Sequence, residues 1–183
     1  GKSLYKDFRP PRAGGETGEY YTKMLAEVQE ALACLDTDFP QLAGRQYQMA
    51  GFVWQQGWND MFDEQALEQY EDNLVCLVQD VREAWKEPRL PVVIGELGNG
   101  GEKAGENMLA LRRAQAAASE RKELKGHVAF VKTTSFARPA GESPNVGHGH
   151  HWFGNAESYF LIGDAMAREM IKLVASRPGS RRR

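Results

Sequence analysis

Two short segments of this 183-residue chain hold the side chains best suited to chemistry. Residues 51–60 read GFVWQQGWND, an apolar run that ends in a cluster of carboxamides. Residues 147–158 read GHGHHWFGNAES, a histidine-rich loop running straight into a helix. A hydrolase that forms a tetrahedral intermediate needs neutral donors aimed at the developing oxyanion, and losing one typically costs about 2.7–4 kcal/mol. Asn59 is the leading candidate, carried on a turn that Gly57 permits, while Gln56 or Gln55 offers a second donor or a substrate contact. A histidine near neutral pKa is the usual general base for a serine hydroxyl. His148, His150 and His151 sit in a loop from which a side chain reaches into a rim site. Such a base is oriented by an acceptor, commonly a carboxylate, and Asp60 and Glu96 are the acids at strand ends. His127, at a strand start, reads as structural.

Other readings of the same residues stand beside these. Asn59 and Asp60 both favour turns and helix caps. Three histidines in four positions are also a conceivable zinc clamp, although adjacent residues of an extended loop point apart. They are equally readable as loop polarity, with Asn155 capping the last helix. An exposed Trp58 suits the face of a sugar ring, and Trp54, Trp58 and Trp152 together would make a carbohydrate-binding module that cleaves nothing. No serine stands in a nucleophile's context: Ser3 lies in GKSL and Ser119 on a helix.

The elements that must position these side chains alternate between helix and strand. Tyr21, Met24, Leu25, Val28, Leu32 and Leu35 give a helical spacing over 18–35. Residues 47–55 form a short apolar run that reads as a buried strand. An amphipathic helix follows over 64–86, with Leu67, Tyr70, Leu74, Leu77, Val78, Val81 and Trp85 on its apolar stripe, and Pro88 ends it. Strands are expected at 90–97 and 127–135 and helices at 106–122 and 155–175; residues 1–17 read as a surface loop. Strands alternating with helices imply a parallel sheet covered on both faces. In such folds ligands sit beyond the carboxyl ends of the strands, and both chemically interesting segments follow strand ends. Three strands are thin for an independent sheet, so two more are expected before Gly1.

Composition narrows the function classes. A 42% hydrophobic content suits one globular domain, here residues 1–175, followed by a polar basic tail over 176–183. The net charge of −2 provides no broad basic field for nucleic acid or an anionic membrane. No apolar run approaches the roughly 20 residues of a transmembrane helix. Cys34 and Cys76 each fall on an apolar helix face and read as buried thiols.

Taken in order, GFVWQQGWND, a helix, LPVVIGELG, RRAQ and HHWFGNAESYFLIGDAMA resemble the sialate O-acetylesterase-type branch of the SGNH hydrolases. Carbohydrate acetylesterase family six is a close relative, and the resemblance runs from GKSL to Met170. It implies a three-layer α/β/α, flavodoxin-like fold with a parallel sheet, and a family named for serine, glycine, asparagine and histidine in four blocks. Asn59 matches the block-three asparagine, Gly57 opens that block, and Gln56 falls on the glutamine of a related HQGE motif. Gly154 matches the glycine of H-x-x-G-[SN]-A, which assigns the catalytic histidine to His151, and Gly1 falls in the glycine block of the oxyanion loop. Three positions depart from the pattern. The G-[DQ]-S serine block is absent, His148 stands where the family has its acid, and Trp58 replaces the acidic residue of HQGE. The resemblance thus implies a serine esterase acting on O-acetylated carbohydrate without cofactor or metal. Its nucleophile is expected upstream of Gly1, and its histidine is oriented as part of a dyad or by a backbone carbonyl. Members of this family are often exported.

Overall fold

The computed structural model describes residues 1–177. Three strands, β1 (Phe52–Trp54), β2 (Val92–Gly95) and β3 (Val128–Val131), form a parallel sheet in that order. Phe52 pairs with Val92 and Trp54 with Ile94; on the other side of β2, Val92 pairs with Val128 and Ile94 with Phe130. Side chains alternate across a strand, so Val92 and Ile94 enter one cluster and Val93 the other. All four residues of β2 are buried, as a central parallel strand must be when both faces are covered.

The larger face is covered by α4 (Tyr70–Ala84) and α5 (Glu106–Glu120), whose Leu74, Leu77, Val78, Val81 and Leu111 are fully buried. The opposite face carries α6 (Ala156–Ala175), which packs Ile162 and Met166 against Val93 and Val131. This is the expected α/β/α layering. β1 pairs with β2 alone among the described residues, and Val53 on it is 50% exposed.

The structure departs from the sequence-based expectations in four places. Residues 47–50 form no strand; Tyr47 is 58% exposed there, so the apolar run is buried only from its later half. The helix expected over 64–86 is broken at Gln69 into α3 (Glu64–Glu68) and α4. Tyr70, the first residue past the break, is fully buried. Residues 1–17 are no mere surface loop: Leu4 is fully buried in the core, and Ser3 through Phe8 close a hydrogen-bonded turn beneath the candidate site. Cys34 terminates α1 (Glu19–Ala33) instead of lying on its apolar face, and both cysteines are free and only half-buried. A short α2 follows (Leu35–Asp38). At the far end Arg177 is held by Glu87 at 2.9 Å, so the start of the expected tail is tied to the domain, while 178–183 lie outside the described residues.

Candidate active site

The loop after β1 is built around the carbonyl of Gln56. It accepts from the Tyr70 hydroxyl and from Gln115 Nε2, both at 2.9 Å. Gln115 uses its other amide atom, Oε1, to accept the Leu97 N–H at 2.9 Å, so one fully buried side chain bridges the ends of β1 and β2. Gly57 follows with φ +145°, a region L side chains rarely enter, and a Cβ there would meet Leu111 Cδ2 at 2.6 Å. The chain can turn at this point only as glycine.

That turn presents Trp58 and Asn59, both half-buried. Asn59 makes no side-chain cap to the 3₁₀ turn it precedes; the cap of α3 is instead Asp63, which accepts the Ala66 N–H at 3.0 Å. The capping interpretation therefore does not hold for Asn59. Gly1 lies directly against the Asn59 carboxamide, so closely that a Cβ on Gly1 would overlap it. The glycine-block and asparagine-block residues thus meet.

Asp60 and Gln56 serve other ends than those expected. Asp60 is fully buried and accepts the N–H groups of Leu4 and Tyr5, each at 3.0 Å. Gln56 Nε2 donates to Asp60 Oδ2 at 2.7 Å and to the Lys2 carbonyl at 2.8 Å. Burial pushes the Asp60 carboxyl above the usual carboxylate range, against the opposing pull of Gln56, Leu4 and Tyr5. These bonds anchor the 1–8 turn; they engage the Gln56 donor and turn Asp60 away from orienting a histidine. Gln55 is exposed and leans over Gly95, its Nε2 donating to the Glu96 carbonyl at 3.3 Å.

The histidine loop arrives from β3. Glu96 organises its first turn: Oε2 accepts the N–H groups of Thr133 (2.7 Å) and Thr134 (2.9 Å) and the Thr134 hydroxyl (2.8 Å). This is the satisfied strand-end role, and it leaves no free rim carboxylate. Farther on, Trp152 and Phe153 adopt left-handed φ of 51° and 54°, followed by Gly154 at 67°. Left-handed backbone at a non-glycine residue costs on the order of 1–3 kcal/mol and persists only where surroundings enforce it. Here Trp152 is buried under α6, the Tyr159 hydroxyl donates to the His151 carbonyl at 2.7 Å, and Asn155 caps α6 by accepting the Ser158 N–H at 3.1 Å. The strained turn throws His148, His150 and His151 to the surface.

The three imidazoles form a cluster, with centroids 4.2 Å apart for His150 and His151 and 5.3 Å for His148 and His150. His150 also meets Trp58 at 5.8 Å, which joins the histidine loop to the Asn59 loop across one rim. Partial desolvation, then His151, His148 and the positive charge at Gly1, hold His150 below the ordinary imidazole value. Among the described residues no group of three or more His, Cys, Asp or Glu is disposed to hold a metal ion, so the rings do not form the clamp considered above. The tryptophan platform is also ruled out: Trp54 and Trp152 are 6% and 7% exposed in the two cores, and only Trp58 of the three reaches the rim. Ser3 is a turn residue, donating to Asp7 Oδ2 at 3.2 Å and accepting the Lys6 N–H at 3.1 Å.

Several residues that shape the site were not singled out from sequence. Arg112 is buried and its guanidinium donates to the carbonyls of Leu97, Asn99 and Gly101, pinning the loop after β2. Asn99 Nδ2 in turn donates to the Gly149 carbonyl at 2.9 Å and ties that loop to the histidines. The signal was available in RRAQ: Arg112 and Gln115 share a helical face with Met108, Leu111 and Ala118, where apolar residues are expected. Polar groups in such positions must find buried partners.

No curated protein and no solved structure matches the chain. The family model described as carbohydrate esterase, sialic acid-specific acetylesterase, matches residues 1–172. That span takes in the Gly1–Asn59 contact, the β2 and RRAQ segments, the histidine loop and most of α6. This chain belongs to the sialic acid-specific acetylesterase family of carbohydrate esterases, on an α/β flavodoxin-like fold.

Proposed function

We propose that this domain is the oxyanion- and base-bearing part of a serine esterase that removes O-acetyl groups from carbohydrates. The observation that carries the reading is the meeting of three blocks at one rim, with Gly1 against Asn59 and Trp58 against His150. The serine is supplied by sequence preceding Gly1. In support, Ser3, Ser119 and Ser158 are engaged with Asp7, the Ala116 carbonyl and the Phe136 carbonyl. The free edge of β1 beside the site is where a serine-bearing strand would add. The serine oxygen attacks the acetyl carbonyl carbon while His151 takes the hydroxyl proton. The oxyanion is held by the Asn59 carboxamide and the Gly1 main-chain nitrogen. Collapse expels the sugar alkoxide, which regains that proton, and water then releases acetate by the same route. No cofactor enters the scheme. With Asp60 and Glu96 engaged elsewhere, His151 works in a dyad or against a backbone carbonyl.

The test is acetate release from an O-acetylated sugar by the protein carrying its serine block. His151→Ala is expected to abolish turnover; unchanged turnover would refute the assignment. Residues 1–183 alone are expected to leave p-nitrophenyl acetate intact, and robust turnover lost on Ser3→Ala would overturn the upstream serine. One observation favours a second assignment: the ring nearest Trp58 is His150. If His150→Ala abolishes turnover and His151→Ala does not, His150 is the base.

A further inference from the structure

A cavity of about 520 Å³ opens beside the histidine and Asn59 loops, within the 300–1,000 Å³ typical of small-molecule sites. Trp58, Phe62 and Phe153 supply aromatic wall, and Gly149 brings the histidine loop to its edge. Trp58 and Phe62 meet edge to face at 5.9 Å, and Phe62 is 69% exposed despite its size. The remaining wall is polar and oddly unpartnered. Asn99 is 3% exposed and lines the cavity; its Nδ2 is spent on Gly149, and its Oδ1 has no hydrogen-bond partner. A buried carbonyl left unpaired costs about 1–3 kcal/mol, a cost removed when a donor reaches it. The first turn of α5 also faces the cavity through Gly105, Glu106 and Asn107. No side chain caps this 15-residue helix, so its leading N–H groups and the positive end of its dipole are turned toward the space. Lys103, on the same wall, forms no ion pair among the described residues.

We propose that this cavity is the subsite for the alcohol half of the ester, and that it selects a carboxylate-bearing pyranose. The apolar face of the ring stacks on Trp58 and Phe62. The sugar carboxylate pairs with Lys103 and the open N-terminus of α5, a ready-made anion site. A ring hydroxyl donates to Asn99 Oδ1, and Glu106, whose own charge the helix dipole favours, accepts from another. Trp58 and Gly149 are next to Asn59 and His150 in the chain, so a sugar seated here presents its acetyl ester to the rim. The inference rests on the esterase reading for which half of the substrate it places, but sugar recognition itself does not depend on turnover.

The test is equilibrium binding to residues 1–183, followed by tryptophan fluorescence and by calorimetry. The probes are the methyl glycosides of N-acetylneuraminic acid and of glucuronic acid, with methyl glucoside as the neutral control. At least one acid is expected to bind ten-fold or more tighter than methyl glucoside, and the better of the two identifies the sugar acid. Lys103→Gln should remove that preference while leaving neutral binding unchanged, and Phe62→Ala should weaken all three probes. Equal affinity for acid and neutral sugars, or a preference that survives Lys103→Gln, would overturn the subsite. In the serine-bearing protein the two readings separate. Acid-selective binding without acetate release sinks the esterase and leaves the subsite. His151-dependent release whose kcat/KM for an acetylated sugar acid is indifferent to Lys103→Gln does the reverse.

Discussion

At the scale of single residues, Asn59 is the side chain whose role is most sharply testable. It has no capping bond to lose, so Asn59→Ala should change unfolding free energy by less than about 0.5 kcal/mol. The same substitution should cut kcat of the serine-bearing protein roughly 10²–10³-fold through loss of an oxyanion donor. A stability loss of about 1 kcal/mol with turnover intact would return Asn59 to the role of a cap. Gly57 is the opposite case. At φ +145° with Leu111 pressed against the missing Cβ, Gly57→Ala should destabilise the fold by about 1–3 kcal/mol or more, measured by urea unfolding. Side-chain type told much of this in advance: a carboxamide after a strand, on a glycine-permitted turn. What it left open was which of Asn59, Gln56 and Asp60 stays free. Leu4, Tyr5 and Lys2 decide that, and they lie more than fifty residues away in the chain.

At the scale of elements, the site is a matter of tied strand ends. Glu96 closes β2 and grips the turn after β3 through three bonds. Glu96→Gln removes the charge behind them and replaces one acceptor oxygen with a donor. A loss of about 1–3 kcal/mol is expected, with faster amide exchange at Thr133 and Thr134; exchange rates equal to those of the parent would contradict this role. The periodicity of α5 and α6 was legible from sequence, because apolar residues at helical spacing face a sheet wherever that sheet lies. The break at Gln69 was not legible, since Leu67 and Tyr70 keep to one apolar stripe across it. The left-handed pair Trp152–Phe153 was equally hidden. Neither residue type favours that backbone, and only burial of Trp152 together with the Asn155 cap holds it there.

For the molecule as a whole, charge placement predicts two steps of acid destabilisation. His127 and His150 are both held below the ordinary imidazole value, by desolvation first and then by neighbouring positive charge. Their neutral forms fit the fold, so stability is undiminished above the unfolded value near 6.5 and falls as pH drops below it. A second decline is expected as pH falls through the carboxylate range. There Asp7, Asp63, Glu123, Glu157 and Asp164, whose carboxyls are depressed by bonding to their partners, lose what their charges contribute. Asp60, raised by burial, acts in the opposite sense over that range and blunts this second step. Urea midpoints recorded from pH 8 to pH 3 check both; a profile flat between pH 7 and 5, with no imidazole titrating early by NMR, would contradict the first.

By itself the sequence determined what is carried by short-range pattern: strands alternating with helices, a parallel sheet with both faces covered, and two polar segments at strand ends. Those follow from side-chain spacing and chirality, which do not depend on distant partners. Only the tertiary structure decided which polar groups stay available for chemistry. A buried donor or acceptor must be satisfied by whatever the fold brings near. Asp60, Gln56 and Glu96 are used up in that way, while Asn59, the histidines and the unpartnered wall around Asn99 are left facing the rim.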